Sequence, residues 1–403
     1  MTPKFRALCL VPVFVAALFL SGCGQHNCPT TSLGSTGSGG GKGGINTGGS
    51  LCGSGGGLNG TEVALVYFPN LDSTGALDID GAVLTTSGQF TQLTVTPPNP
   101  TGQATDDMTI VAGNFLYIPF VDTNAVEGFS IDRATGALSS IGSPFALTAG
   151  TADTAVADPQ GRFLFVGSEF SGMISVFQID ATTGALTLNP SPFTSPNLFS
   201  ADSLTVDGTG NFLYAGQGDP SIPLDAFSID QSTGSLTEIA GAPFNLGVAQ
   251  LHADPSGKFL MGVAEIQDQA VSATDQHISV FAINSSGVPS PVAGSPFPTT
   301  SAPFDFAISP DGGFVYVVGT NGGARSPIEG YQIDPAGTLT AVPGSPFSTL
   351  PLAFQCKFDQ GGKFLFCATG GGLSVLNVNT STGALTQTVQ DLAVPDFPFA
   401  VTD

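Results

Sequence analysis

The sequence predicts an all-β chain folded as a seven-bladed β-propeller of four-stranded antiparallel blades, and three observations predict it. A turn glycine followed by a strand recurs at Gly88, Gly136, Gly184, Gly234, Gly287, Gly337 and Gly383, at intervals of 48, 48, 50, 53, 50 and 46 residues. A period of this size marks one supersecondary unit that buries its apolar face only against its neighbours. Between the glycines, short or alternating apolar runs are punctuated by Gly, Pro and Asp, the pattern of strands and hairpins. Finally, Glu62 to Tyr67 reads as a second strand lacking a first, whereas Phe399 to Asp403 reads as a first strand standing alone. Joining the two completes the seventh blade and closes the ring, leaving no long edge unpaired.

One unit, residues 152–193, shows each element. An inner strand (Asp153 to Ala157) leads through the turn Asp158-Pro159-Gln160-Gly161 to a second strand (Arg162 to Gly167). A third (Ile174 to Ile179) and a fourth (from Ala185) flank the turn Asp180-Ala181-Thr182-Thr183-Gly184. Asp opens that hairpin by hydrogen-bonding its own backbone, and Gly supplies the positive φ the loop requires. Asp132, Asp230 and Asp334 recur at the same place, with Asn284 and Asn379 as substitutes. The pairs Pro144-Phe145, Pro192-Phe193, Pro243-Phe244, Pro296-Phe297 and Pro346-Phe347 are expected to close the fourth strand, since proline cannot continue a ladder. Each Phe then plugs the seam between blades. The inner strands fall at Asp106 to Val111, Asp153 to Ala157, Asp202 to Val206, Ala249 to Ala253, Asp305 to Ser309, Phe354 to Phe358 and Phe399 to Asp403.

Ahead of the repeats, residues 1–22 combine basic Lys4 and Arg6 with an apolar run from Leu8 to Leu20, a processing segment excluded from the fold. The sequence Leu20-Ser21-Gly22-Cys23 resembles a bacterial lipobox, which implies cleavage before Cys23 and lipidation of that cysteine. Residues 23–60 are Gly, Ser, Thr and Asn with almost nothing apolar to bury, a flexible tether to the propeller at 61–403. The expected location is the cell envelope, on the membrane through the anchor at Cys23 without crossing it.

The chain has 9 Lys and Arg against 31 Asp and Glu, for a formal charge of −22. Nucleic acid is excluded as a partner, because phosphate neutralisation needs clustered basic residues. Cys356 and Cys367 lie on two consecutive strands joined at Asp359 to Gly362, and both a cross-strand disulfide and two buried thiols fit that placement.

At Ser309-Pro310-Asp311-Gly312-Gly313-Phe314-Val315-Tyr316-Val317 and its copies at Asp158, Asp254 and Asp359, the chain resembles the YVTN-repeat and lactonase-like seven-bladed propellers. The third-strand segments Ser175 to Ile179 and Ser279 to Ile283 strengthen the match, which covers residues 61 to 403. The resemblance implies hydrolysis of a sugar lactone, as in the 6-phosphogluconolactonase-type members. Those members often carry an inner-strand histidine at a register where this chain has Asp106, Thr154, Ser203, Gln250, Asp305, Gln355 and Phe399. His252 stands two residues beyond Gln250, on the same face by the strand period.

Inner strands line the central channel, so Asp106, Asp305 and His252 are the catalytic candidates, with Gln250, Gln355, Thr154 and Ser203 as binding candidates. The competing reading is that these groups bond water in a solvated channel or cap neighbouring turns. Asp72, Asp78 and Asp80 lack calcium-loop spacing, so no metal is assigned, and no motif calls for a cofactor. Two functions remain: an envelope binding module for a protein, small molecule or carbohydrate, and a lactone hydrolase acting in the channel.

Overall fold

The second strand of each repeat is apolar on both sides, as in Phe163-Leu164-Phe165-Val166, and such a strand belongs between two others in a sheet with both faces covered. A computed structural model shows this arrangement seven times. It describes residues 62–71, 77–86, 88–93, 100–102, 107–168, 171–190, 193–194, 200–264, 276–321, 324–348, 350–387, 392 and 398–402. The processing segment, the tether with Cys23, and Asp72 and Asp106 lie outside the described residues.

Blades are numbered here in chain order by their inner strands, which are Thr109–Val111, Thr154–Ala157, Ser203–Val206, Gln250–Ala253, Ala302–Ile308 and Ala353–Phe358 for blades 1 to 6. Each inner strand is followed by three more, paired in sequence as antiparallel neighbours. Blade 7 joins the two ends of the described chain: Ala400–Val401 pairs with Glu62–Leu71, followed by Leu77–Thr85 and Phe90–Gln92. Because neighbouring strands alternate in direction, the second-to-third connections open on the face where the inner strands begin, here the connector face. The Asp-led turns occupy the opposite, turn face.

Proline does not finish the outer strand as the sequence suggested. After the fourth strand stops, the chain rejoins the same outer edge one residue past the proline, so Phe145 pairs with Val126, Phe193 with Ile174 and Phe297 with Ile278. Phe244 and Phe347 make single bridges to Leu224 and Ile328 in the same way. These rings do plug the seams: Phe193 meets Phe227 of the next blade edge-on, with centroids 4.6 Å apart.

Among the described residues the buried apolar side chains fall into seven clusters, one at each seam between blades. The seams are also stitched by polar groups. Tyr67, Tyr117, Tyr214 and Tyr316, all buried on second strands, donate to the carbonyls of Gly136, Gly184, Gly287 and Gly383 in the following blade at 2.7 to 2.9 Å. Within blades 1 and 5, buried Glu127 and Glu329 of the third strands accept from the incoming connectors at Thr101 and Gly102 and at Thr300 and Ser301.

Cys356 and Cys367 sit directly opposite each other on the inner and second strands of blade 6 and form a disulfide. Among the described residues no helix is long and apolar enough to cross a membrane, and no cluster of His, Cys, Asp and Glu is arranged to hold a metal ion.

Candidate functional site

An inner strand has one unpaired edge facing the channel, so its N–H groups need partners from elsewhere. The preceding blade supplies several. Ser203 Oγ of blade 3 accepts from the Leu251 amide of blade 4 at 3.2 Å, and Thr205 Oγ1 accepts from the Ala253 amide at 3.0 Å. In blade 1, Asp107 Oδ2 accepts from the Ala155 amide at 3.0 Å and from the Thr154 hydroxyl at 3.2 Å.

These bonds assign several candidates. Ser203 is buried and, like Thr154, joins neighbouring inner strands. The register position in blade 1 belongs to Asp107, not Asp106: Thr109 pairs with Tyr117 as Val156 pairs with Phe165, and Asp107 and Thr154 each stand two residues earlier. The two adjacent aspartates made the register ambiguous by one in the sequence.

His252 and Asp305 come together. Nε2 of His252 in blade 4 lies 3.5 Å from Oδ1 of Asp305 in blade 5, an ion-pair distance, with the histidine side chain 40% exposed and the carboxylate 12% exposed. The imidazole is held edge-on by Phe306, centroids 4.8 Å apart. The carboxylate thus faces one ring nitrogen of the imidazole. No sequence rule could pair the two, because the contact depends on how far one blade is rotated from the next.

The inner strand bearing Asp305 carries a second local signal, shared with the next blade. The inner strands of blades 5 and 6 each hold a β-bulge, between Pro303 and Asp305 and between Ala353 and Gln355, while those of blades 2, 3 and 4 pair without interruption. The extra residues are Phe304 and Phe354, each directly before a candidate polar residue. Bulges re-aim side chains and concentrate beside active sites. Gln250 and Gln355 are half-buried, at the level of Asp305 on the two flanking blades.

Two cations stand on blades 5 and 6. Lys357 pairs with Phe366 as His252 pairs with Met261, so the two stand at one level of the channel on either side of the blade bearing Asp305. Its Nζ donates to the Met108 carbonyl at 3.5 Å and lies 5.7 Å from the centre of the Phe399 ring. Arg325, on the second-to-third connection of blade 5, places its guanidinium over the face of Phe354. Arg325 was not singled out in the sequence, because a loop residue gives no periodic signal. A surface cleft between blades 3 and 4, lined by Leu246, His277, Phe281 and Pro291, includes none of these residues.

Residues 82–200 match the family model described as Lactonase, 7-bladed beta-propeller. The chain is a seven-bladed propeller that is similar to the lactonase family over that stretch. Among solved structures, a candidate 6-phosphogluconolactonase from Bacteroides fragilis is similar to this propeller with a TM-score of 0.64 and 18% identity, covering 85% of this chain and 98% of the other. A second candidate 6-phosphogluconolactonase, from Bacteroides uniformis, gives 0.63 at 20% identity over 83% and 98%. The periplasmic gluconolactonase of Pseudomonas aeruginosa gives 0.61 at 18% over 84% and 98%. No curated protein matches the propeller by sequence. At these identities the structural likeness establishes the fold, and the chemistry has to come from the site.

Proposed function

We propose that this propeller hydrolyses a lactone at the channel mouth, with His252 as general base and Asp305 as the residue that orients it. The observation that carries the reading is the His252 to Asp305 pair across the seam of blades 4 and 5. With Nε2 turned to the carboxylate, Nδ1 accepts a proton from water as the oxygen adds to the lactone carbonyl carbon. The tetrahedral intermediate then expels the ring oxygen, which takes the proton from the imidazolium and leaves an open-chain hydroxy acid. The lactonase family description and the names of the two Bacteroides proteins and the Pseudomonas gluconolactonase support this substrate class.

The test is turnover of a panel of sugar lactones by the mature chain, with His252→Gln and Asp305→Asn as variants. Loss of about 10²- to 10⁴-fold in kcat/KM for His252→Gln is the expected result. Unchanged turnover with a lowered melting temperature would instead make the pair another bond between blades, and absence of turnover by the wild type would leave the propeller a binding module for a protein, small molecule or carbohydrate. We also propose that the ring is held at the cell envelope by lipid on Cys23. Labelling by radioactive palmitate that Cys23→Ala abolishes supports this, and equal labelling of both forms refutes it.

A further inference from the structure

We propose that the cleft between blades 3 and 4 is a second ligand site, separate from the channel, and that it takes a monocarboxylic acid with a compact apolar body. Another blade supplies the pattern. In blade 5 the third-strand residue opposite Val317 is Glu329, and its buried carboxylate accepts from the Thr300 and Ser301 amides of the incoming connector at 2.9 to 3.2 Å. The Ser301 and Tyr331 hydroxyls complete the shell at 3.0 and 2.7 Å. Blade 1 repeats the arrangement, with Glu127 accepting from the Thr101 and Gly102 amides at 2.8 and 3.1 Å. In both blades a carboxylate is the group that meets the connector amides.

Blade 4 keeps the surroundings and lacks the carboxylate. Ser279, opposite Gly262, stands at the register of Glu329, and Phe281, two residues on, stands where blade 5 has Tyr331. Counting back from Gln250 and from Asp305, with the bulged Phe304 left out, Leu246 and Gly247 take the places of Thr300 and Ser301. Among the described residues neither of their amides makes a hydrogen bond. The shorter side chains leave a cleft of about 470 Å³ whose lining includes Leu246, Gly247, His277, Ser279, Phe281 and Ser295, a size that suits a small molecule.

The donors suit the missing group. Ser279 is buried in the wall, and Ser295 Oγ already accepts from the Val280 amide at 2.9 Å, which leaves its proton to donate. His277 adds an imidazole, which carries at least one N–H in either protonation state. Phe281, Leu246 and the lining prolines 220, 291 and 296 enclose an apolar body. A second charge on the ligand is disfavoured, because exposed Asp219 adjoins the lining Pro220, with its own carboxylate held by the Ser221 amide and hydroxyl. Repulsion from the net charge of the whole molecule is screened beyond about 8 Å at physiological ionic strength, so the local donors decide.

The test is calorimetric binding to the full chain of phenylacetate, its neutral counterpart phenylacetamide, the dianion phenylmalonate, and a short peptide ending in a phenylalanine carboxylate. Phenylacetate is expected to bind about 10- to 100-fold more tightly than phenylacetamide. Ser279→Glu rebuilds the blade 5 arrangement in blade 4 and should weaken phenylacetate at least about 10-fold while the melting temperature holds or rises. His277→Leu changes a half-buried side chain outside the apolar clusters, so it tests the site even if Ser279→Glu fails to fold, and should weaken phenylacetate by about 3- to 10-fold. His252→Gln should leave phenylacetate binding unchanged. Phenylacetamide or phenylmalonate binding as tightly as phenylacetate, unchanged affinity in His277→Leu, no binding of phenylacetate at millimolar concentration, or its loss in His252→Gln would overturn the proposal. Tighter binding of the peptide would give the cleft to protein C-termini and overturn it as well.

Discussion

Tyr214 and Gly287 show why one signature glycine is required twice over. Gly287 has φ of +79°, a left-handed conformation that side chains resist, and a Cβ there would meet Phe212 Cδ1 of the preceding blade at 2.5 Å. The flat backbone lets the blades approach until the Tyr214 hydroxyl reaches the Gly287 carbonyl at 2.8 Å. Burial pushes the phenol's titration well above its ordinary range, so it stays a neutral donor at every pH the fold survives. Tyr214→Phe leaves that carbonyl buried without its donor and is expected to cost about 1–3 kcal/mol in chemical denaturation. Gly287→Ala adds strain and a steric clash at the same seam, and is expected to cost more than Tyr214→Phe; a milder effect would mean the blades separate freely.

The turns obey local chemistry, and their behaviour in acid is readable from it. Asp230 accepts from the hydroxyls and amides of Ser232 and Thr233, which hold its carboxyl down to about 2, and Asp180 is lowered by the amide and hydroxyl of Thr183 and the amide of Thr182. A carboxylate whose pKa is lower folded than unfolded adds stability above its unfolded value near 3.8, and that stability is lost as pH falls toward 2. The melting-temperature difference between wild type and Asp230→Ala is therefore expected to be constant from pH 7 to pH 5 and to shrink between pH 4 and pH 2. A difference that persists at pH 2 would assign the effect to lost packing. Turns and strands of this kind were legible in the sequence because Asp, Gly and alternating apolar residues act within a few positions of themselves. The placement of Asp305 beside His252, the contact of Arg325 with Phe354 and the two bulges were not, since each arises where separate blades meet. Even the register in blade 1 slipped by one, because Asp106 and Asp107 are chemically alike and only the neighbouring Ala155 amide tells them apart.

A ring of blades is stable only when its last seam is shut, and this chain shuts it with very little. The closing strand is Ala400–Val401, paired with Tyr67 and Val66. Thr402 extends the closure from both of its groups: its amide donates to the Leu65 carbonyl at 2.8 Å, and its Oγ1 accepts from the Leu65 amide at 2.9 Å. Phe399 is buried in the seam with blade 6, Ala400 in the seam with blade 1, so these few residues take part in two clusters at once. Lys357 bridges the same sector, passing the Phe399 ring to reach the Met108 carbonyl of blade 1. Removing residues 398–403 exposes both seams and the edge of Glu62–Leu71. Burial of the Phe399 side chain alone is worth about 1.5–3 kcal/mol, before the lost ladder and clusters are counted. The truncated chain is expected to melt well below the full one and to be cut by protease within blade 7 first, whereas Thr402→Val, which keeps the strand and removes one acceptor, should cost only about 1–3 kcal/mol. Equal melting of the truncated and full chains would show that the apolar seams hold the ring without its closing strand.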